Sequence, residues 1–421
     1  MSLPSIHIHL TPEDKPYRQN LVSLLGGRCA GDSSLSFEPV QTSMDALFKS
    51  QKNGHKDKLV ITSSEKLLQL ITGKEDASLT NPKGNFAGSV IDYMGYEHLF
   101  IAPLKQLRTV SYGKFLLKRY LQKFLEPDSF IQIPRFEWEI FDPAKLVLYR
   151  ELLKRATFIA VDIENDFPST NRCITCVGFS AVQLLATDNT LQVFTVVVPF
   201  TSEYNIEVIR QFCGVPAPKV LHNGKFDISY LLRFNIIIIN YSLDTINLFH
   251  SWYSELPKRL YQVTAFCLRK WTYWKDESAS QIGTYEYYQY NAKDCFTTAM
   301  SCLALLRDMP EFAEENYIQE FPTVFPCILA ENTGIRINED SRKELERHLK
   351  SKQAEYLAEL RIMVDNKYYN PKSPQQTLRV WKALGSEDIE STDEQGQDKV
   401  KTRHPINRRI VDGISKLRCR Y

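Results

Sequence analysis

Three things are missing from this 421-residue sequence, and each absence removes a class of protein. No apolar run approaches the roughly 20 residues needed to cross a bilayer. The first ten residues, Met1 to Leu10, also lack the charged start and apolar core of an export signal. A soluble protein with no membrane partner is therefore expected. A dominant sign of charge is absent as well: 52 Lys and Arg against 50 Asp and Glu leave a net +2. Overall charge gives no argument for nucleic acid, although a basic groove can coexist with an acidic centre. The third absence is a disulfide framework. Nine cysteines, an odd number scattered through apolar segments, suit a reducing compartment. Cys173 and Cys176 form a C-x-x-C without a second pair, so a buried pair of thiols is expected rather than zinc or redox chemistry.

What is present describes an ordinary globular chain, 43% apolar and 24% charged, long enough for two or three cores. Residues 1–130 alternate strand-like runs (Ile6 to Leu10, Lys58 to Thr62, Val90 to Pro103) with helical spacing at Ser64 to Ile71 and Tyr112 to Leu125. The last helix carries Lys114, Lys118, Arg119 and Lys123 on its outer face, as a solvated surface or a phosphate contact. Pro127 and Pro134 mark a linker into a second domain over 136–312. There, strands at Thr157 to Ile163, Cys173 to Val182 and Leu191 to Pro199 are separated by turn-prone residues, the pattern of an antiparallel meander. Helix Glu203 to Cys213, strand Lys219 to Leu221, helix Gly224 to Arg233 and strand Ile236 to Ile239 follow. Three antiparallel strands and then alternating strands and helices make an α/β domain of ribonuclease H-like plan. A helical region, 313–421, closes the chain.

The chemistry is concentrated in the second domain. Phe158 to Glu164 reads F-I-A-V-D-I-E, and two-residue spacing in a strand puts Asp162 and Glu164 on one face. Such a pair persists where a cation sits between the charges or where the strand end is wet. In H-N-G-K-F-D, Asp227 falls in a helix's first turn, which suits either a ligand or the helix dipole. In Y-N-A-K-D, Tyr290 and Asp294 lie one helical turn apart and can face the same small volume. Converging carboxylates from three segments repel unless neutralised. Together they suit two divalent cations about 3.5 to 4 Å apart, and their hard oxygens select Mg²⁺ or Mn²⁺ over zinc.

The segments V-D-I-E, H-N-G-K-F-D and Y-N-A-K-D resemble, in order and spacing, the three motifs of the DEDDy 3′–5′ exonucleases, in particular the proofreading domain of phage and bacterial family A DNA polymerases. The resemblance implies a metal-dependent DNA exonuclease with Asp162, Glu164, Asp227, Tyr290 and Asp294 as its catalytic set. The four carboxylates would hold two Mg²⁺ or Mn²⁺ ions, and Tyr290 would position the attacking water. Asn165, Asn223 and Lys225 are implied on the DNA side, although Asn165 and Asp166 stand where the family often has Thr. Asp244 matches an Asp-Thr of the family and is expected as a helix cap. The aromatic run Trp271 to Trp274 is expected in the core, with base stacking as the alternative.

The N-terminal domain resembles uracil-DNA glycosylase-like domains around Lys83 and Gly84 but lacks their catalytic segments, which implies a non-catalytic relic. Thr333 to Ile337, helix Ser341 to Val364 and N-P-K-S-P-Q-Q resemble the entry to a polymerase thumb, where Ser373, Pro374 and Gln376 make a capped helix start. No palm or fingers follow the basic segment at Arg408, Arg409 and Lys416 to Tyr421. This chain is therefore expected to act on single-stranded or primer-template DNA beside a separate polymerase subunit, or to be part of a longer polymerase, in the cytoplasm (the host's if a phage encodes it). The alternatives are an RNA-trimming exonuclease and a non-catalytic DNA-binding or docking subunit.

Overall fold

The computed structural model describes residues 6–25, 35–36, 59–81, 84–166, 173–184, 191–385, 388–389, 392, 397, 400 and 405–418. Lys83 and Tyr421 lie outside these residues. The chain divides into two compact units, Met1–Thr333 and Gly334–Tyr421.

The first unit contains two sheets. In the N-terminal one, β1 (Ile6–His9), β2 (Leu35–Ser36), β3 (Leu59–Thr62), β4 (Val90–Tyr93) and β5 (Tyr96–Phe100) lie in the order β2-β1-β3-β5-β4. All pairings are parallel except β4 with β5. That hairpin turns at Met94 and Gly95 with φ of 50° and 81°, the two positive values that match the twist of paired strands. Helices α1 (Arg18–Leu24), α2 (Glu65–Thr72), α3 (Leu104–Thr109) and α4 (Gly113–Leu125) complete the layer. His7 and His98 flank Val60 of β3 in register and are both buried. Burial pushes both imidazoles down to about 4.

The basic helix departs from expectation. Lys123 follows Tyr120 by three residues, so it shares the inward stripe, where it is fully buried and donates to the Gly88 carbonyl at 2.5 Å. Arg119 lies over the Phe130 ring and donates to the Phe266 carbonyl. Lys114 and Lys118 alone of the four remain exposed.

The second sheet runs β11-β10-β7-β8-β9-β6. Its strands are β6 (Trp138–Ile140), β7 (Phe158–Asn165), β8 (Ile174–Leu184), β9 (Leu191–Pro199), β10 (Lys219–Leu221) and β11 (Tyr241–Asp244), and α5 (Leu146–Lys154) precedes the meander. β7, β8 and β9 pair antiparallel, whereas β10 and β11 continue parallel to β7 through α6 (Glu203–Cys213) and α7 (Gly224–Leu232). This is the ribonuclease H-like strand order. Helices α8 (Thr245–Trp252), α9 (Leu260–Cys267) and α10 (Tyr285–Asp308) follow, and α10 buries Ala292, Cys295, Phe296 and Ala299 completely.

Two expectations for this domain fail locally. Ile236 to Ile239 is not a strand: Asn235 and Asn240 take left-handed φ of 53° and 57° and bracket the run as turns, leaving Ile237 and Ile239 exposed. The strand begins at Tyr241, which pairs with Lys219 of β10. The C-x-x-C is not a buried pair either. Cys176 lies inside β8 and is buried, but Cys173 precedes the strand and is exposed.

Helices α11 (Glu311–Glu320) and α12 (Val324–Thr333) belong to the first unit, so the division falls at Thr333 and Gly334 rather than at 312/313. The Tyr317 hydroxyl, which accepts from Asp244 N and donates to the Ser242 carbonyl, ties α11 to the sheet edge. In the second unit, α13 (Glu339–Met363), α14 (Pro374–Ala383) and α15 (Pro405–Arg418) pack around Leu360, Tyr369, Ile410 and Ile414. Ser373 caps α14 as expected, but Gln376 reaches back to Asn370 N at 2.7 Å rather than to the cap residue's own N–H. Among the described residues no helix is long and apolar enough to cross a membrane.

Candidate active site

Strand alternation places Asp162 and Glu164 on one face of β7, and the strand ends in a register shift between Glu164 and Asn165. Such bulges re-aim side chains at the edges of sites. Opposite Asp162 in β8 stands Gly178. A Cβ there would collide with Asn291 Oδ1 and Cys295 Sγ, so the glycine lets α10 descend onto the sheet. Asn291 Nδ2 then donates to Asp162 Oδ2 at 2.9 Å.

α7 is positioned by its tight start. Asn223 adopts φ of 67°, and Gly224 N donates to Asp244 Oδ2 at 2.8 Å. A side chain at Gly224 would strike Leu221 and the Tyr241 ring. Asp244 also caps α8 through Ile246 N and Asn247 N, the role expected from sequence. The turn brings Asp227 against β7, where its Oδ1 accepts from Ile163 N at 3.1 Å. Ile163 lies between the two strand carboxylates, so Asp227 is fastened beside them.

Carboxylate oxygens of Asp162, Glu164 and Asp294 all lie within 4.8 Å of one another. Burial pushes Asp162 well above the usual carboxylate range, and the charges of Asp294, Asp227 and Glu164 push the same way. Burial and then Asp294 raise Glu164 to about 8, while burial raises Asp227 to about 8 against the Ile163 hydrogen bond. One cation answers this crowd. Lys275 Nζ donates to Asp294 Oδ2 at 2.5 Å and to the Tyr290 oxygen at 3.0 Å. Burial works against its charge, but Asp294, Asp162 and Glu164 hold its ammonium above the ordinary value. Trp274 Nε1 takes the other Asp294 oxygen at 2.5 Å. Trp271 to Trp274 therefore serves as packing and support: Tyr273 and Trp274 are buried.

The donor set fits hard divalent cations. It offers carboxylate oxygens alone, those of Asp162 and Glu164 from β7 and Asp294 from α10 at separations a shared ion can span, and their mutual repulsion is what a bound cation relieves. Five residues expected from sequence thus come together: Asp162, Glu164 and Asp294 as a cluster, Asp227 on the intervening backbone, and Tyr290 through Lys275. The DNA-side residues are dispersed. Asn223 is exposed and lines a cleft next to Tyr290. Asn165 ends β7 at the bulge, and Lys225 is paired with Glu331 at 2.6 Å. Sequence reasoning missed Asn291, Lys275 and the Trp274 indole. Asn291 sits between Tyr290 and Asp294 in the same motif, but the partner that gives it a role, Asp162, is 129 residues away. Lys275 had no periodic signal because it approaches from a 3₁₀ turn, Lys275–Ala279.

No protein-family model matches the sequence, and no curated protein matches it. Among solved structures, the chain is similar to the polymerase domain of Pol1 from M. smegmatis, solved with DNA primer-template and dNTP, at 12% identity and a TM-score of 0.47. That match covers 67% of this chain and 49% of the other, so the chain spans about half of the polymerase structure. The Aedes aegypti Nibbler EXO domain matches at 16% identity over 45% of this chain and 98% of its own, with a TM-score of 0.33. Trypanosoma brucei RNase D, in complex with RNA U12, matches at 15% identity over 49% and 78%, with a TM-score of 0.37.

Proposed function

We propose that this protein is a metal-dependent 3′–5′ exonuclease that removes nucleoside 5′-monophosphates from DNA ends. The observation that carries the reading is the meeting of the Asp162, Glu164 and Asp294 carboxylates within 4.8 Å, with Asp227 fastened to the strand between them. These four side chains would hold two Mg²⁺ or Mn²⁺ ions, which when bound supply charge stabilisation to the attacking and leaving oxygens.

The chain's own residues do the rest. The Tyr290 hydroxyl, fixed at its oxygen by the Lys275 ammonium, positions the attacking water. Lys275 and Trp274 hold Asp294 in place from either side, and Asn291 does the same for Asp162. Water adds to the terminal phosphorus, the bond from phosphorus to the 3′ oxygen breaks, and the shortened strand keeps a 3′ hydroxyl. A terminal nucleotide reaches this cluster only when unpaired, so single-stranded or frayed ends are the substrate. The preference for DNA, and work beside a polymerase subunit, rest on the thumb-like sequence of the second unit.

The deciding experiment compares the wild type with Asp162→Ala on 5′-labelled DNA and RNA oligonucleotides in Mg²⁺. Loss of stepwise shortening with DNA binding retained is the expected result. Undiminished shortening by the variant removes the assignment, and faster wild-type turnover of RNA reassigns the substrate.

A further inference from the structure

We infer that the N-terminal sheet domain forms the far wall of the substrate cleft, against which the last unpaired nucleotide of a 3′ end is held beside Tyr290 and Lys275. The inference rests on the nuclease reading for the identity of the ligand, and on separate geometry for the wall.

A cleft of about 920 Å³ is lined in part by Tyr290 and Lys275, and Lys275 ties it to Asp294 of the acidic cluster. One side is lined by Asp76 and Gly84, which come from the loop between α2 and β4. The other side carries Lys258, Arg259 and Tyr261 from the start of α9, together with His222 and Asn223. The volume lies toward the top of the range of about 300–1,000 Å³ seen for small-ligand sites, which suits one or two nucleotides. Lys258 and Arg259 supply charge for phosphates, and Lys275, which lines the cleft, is paired with Asp294 of the acidic cluster.

The wall is fastened rather than resting. Gly84 N donates to the Tyr273 hydroxyl at 3.0 Å, and Lys74 is ion-paired with Asp276, the neighbour of Lys275. The Phe86 and Tyr273 rings lie 4.9 Å apart. Leu68, Phe86 and Phe100 of the N-terminal domain form one apolar cluster with Tyr273, Trp274 and Tyr290. The side chain assigned to the attacking water and the indole that holds Asp294 are therefore both packed on the N-terminal domain. A domain with no acidic cluster of its own among the described residues thus sets the width of the cleft and the posture of its floor.

The test uses the full chain and a short single-stranded DNA bearing a photoreactive thiothymidine at its 3′ end, cross-linked in EDTA so that no turnover occurs. Peptides containing Asp76 and Gly84 are the expected products, alongside peptides containing Tyr261 or Tyr290. Cross-links confined to residues beyond 136 overturn the wall. A second variant fills the cleft: Asp76 is exposed, so Asp76→Trp is compatible with folding and is expected to raise KM for single strands about tenfold with a much smaller change in kcat. An unchanged KM in a folded Asp76→Trp protein also overturns the inference. Cross-linking to the wall in EDTA by a wild type that hydrolyses nothing when Mg²⁺ or Mn²⁺ is supplied would leave the wall standing and remove the nuclease reading instead.

Discussion

The two sheets of the first unit bury ionisable groups in similar surroundings and obtain opposite consequences. In the N-terminal sheet, burial holds His7 and His98 neutral, near 4, so the fold carries uncharged imidazoles at no cost above their ordinary value. In the second sheet, burial and mutual repulsion drive Glu164 and Asp227 up to about 8, and a single lysine offsets the charge that remains. One sheet is self-sufficient near neutral pH, whereas the other is left with a deficit that a divalent cation would relieve. Burial alone marks neither as functional. What separates them is that the acids converge while the histidines share only a strand register.

The sharpest way to break this contrast is Asp162→Ala. Hydrolysis should fall by about a thousandfold or more, measured as release of mononucleotides, because one of the carboxylates that would hold the cations is lost. Next in size is Lys275→Met, which removes the counter-charge from a nearly buried Asp294. The metal-free protein should lose about 3 kcal/mol in urea unfolding, and added Mg²⁺ should restore more stability than in the wild type.

The pH dependence follows with opposite signs. The carboxylates have folded values above their unfolded ones, so their contribution is fully present below about pH 4 and is lost as pH rises through about 8. Mg²⁺ should therefore raise the melting temperature more at pH 8 than at pH 5. The histidines have folded values below the unfolded one, so stability is present above about 6.5 and is lost as pH falls toward about 4. For His98 this amounts to about 2 kcal/mol by pH 5, and His98→Phe should flatten that acid limb, followed by hydrogen exchange of the β3 amides. The smallest effect belongs to Lys225→Ala. Its exposed pairing with Glu331 is worth little, and KM for DNA should change by about twofold or less.

Much of this contrast was legible in the residues. β7 and its D-x-E, the exact span of α6 and the short β10 follow from alternation and helical period. Asp227 and the pair Tyr290 and Asp294 follow from a turn signal and a one-turn spacing. What the pattern hid depends on register and on distant contacts. Ile236 to Ile239 has every local preference of a strand, yet the asparagines at either end turn the backbone and hand the pairing to Tyr241. Lys123 reads as part of a charged face until Gly88 offers a carbonyl from another element. Lys275 and Asn291 are placed by partners more than fifteen and a hundred residues away, which no window of sequence contains.

The cluster joining Leu68, Phe86 and Phe100 to Tyr261, Tyr273 and Trp274 has a practical corollary for anyone shortening this chain. A fragment starting at 136 would carry the whole acidic set but would bare a broad aromatic face to water. Such a fragment should clump in the test tube unless a detergent or a replacement helix covers it, and its silence toward DNA would say nothing about the chemistry it still encodes.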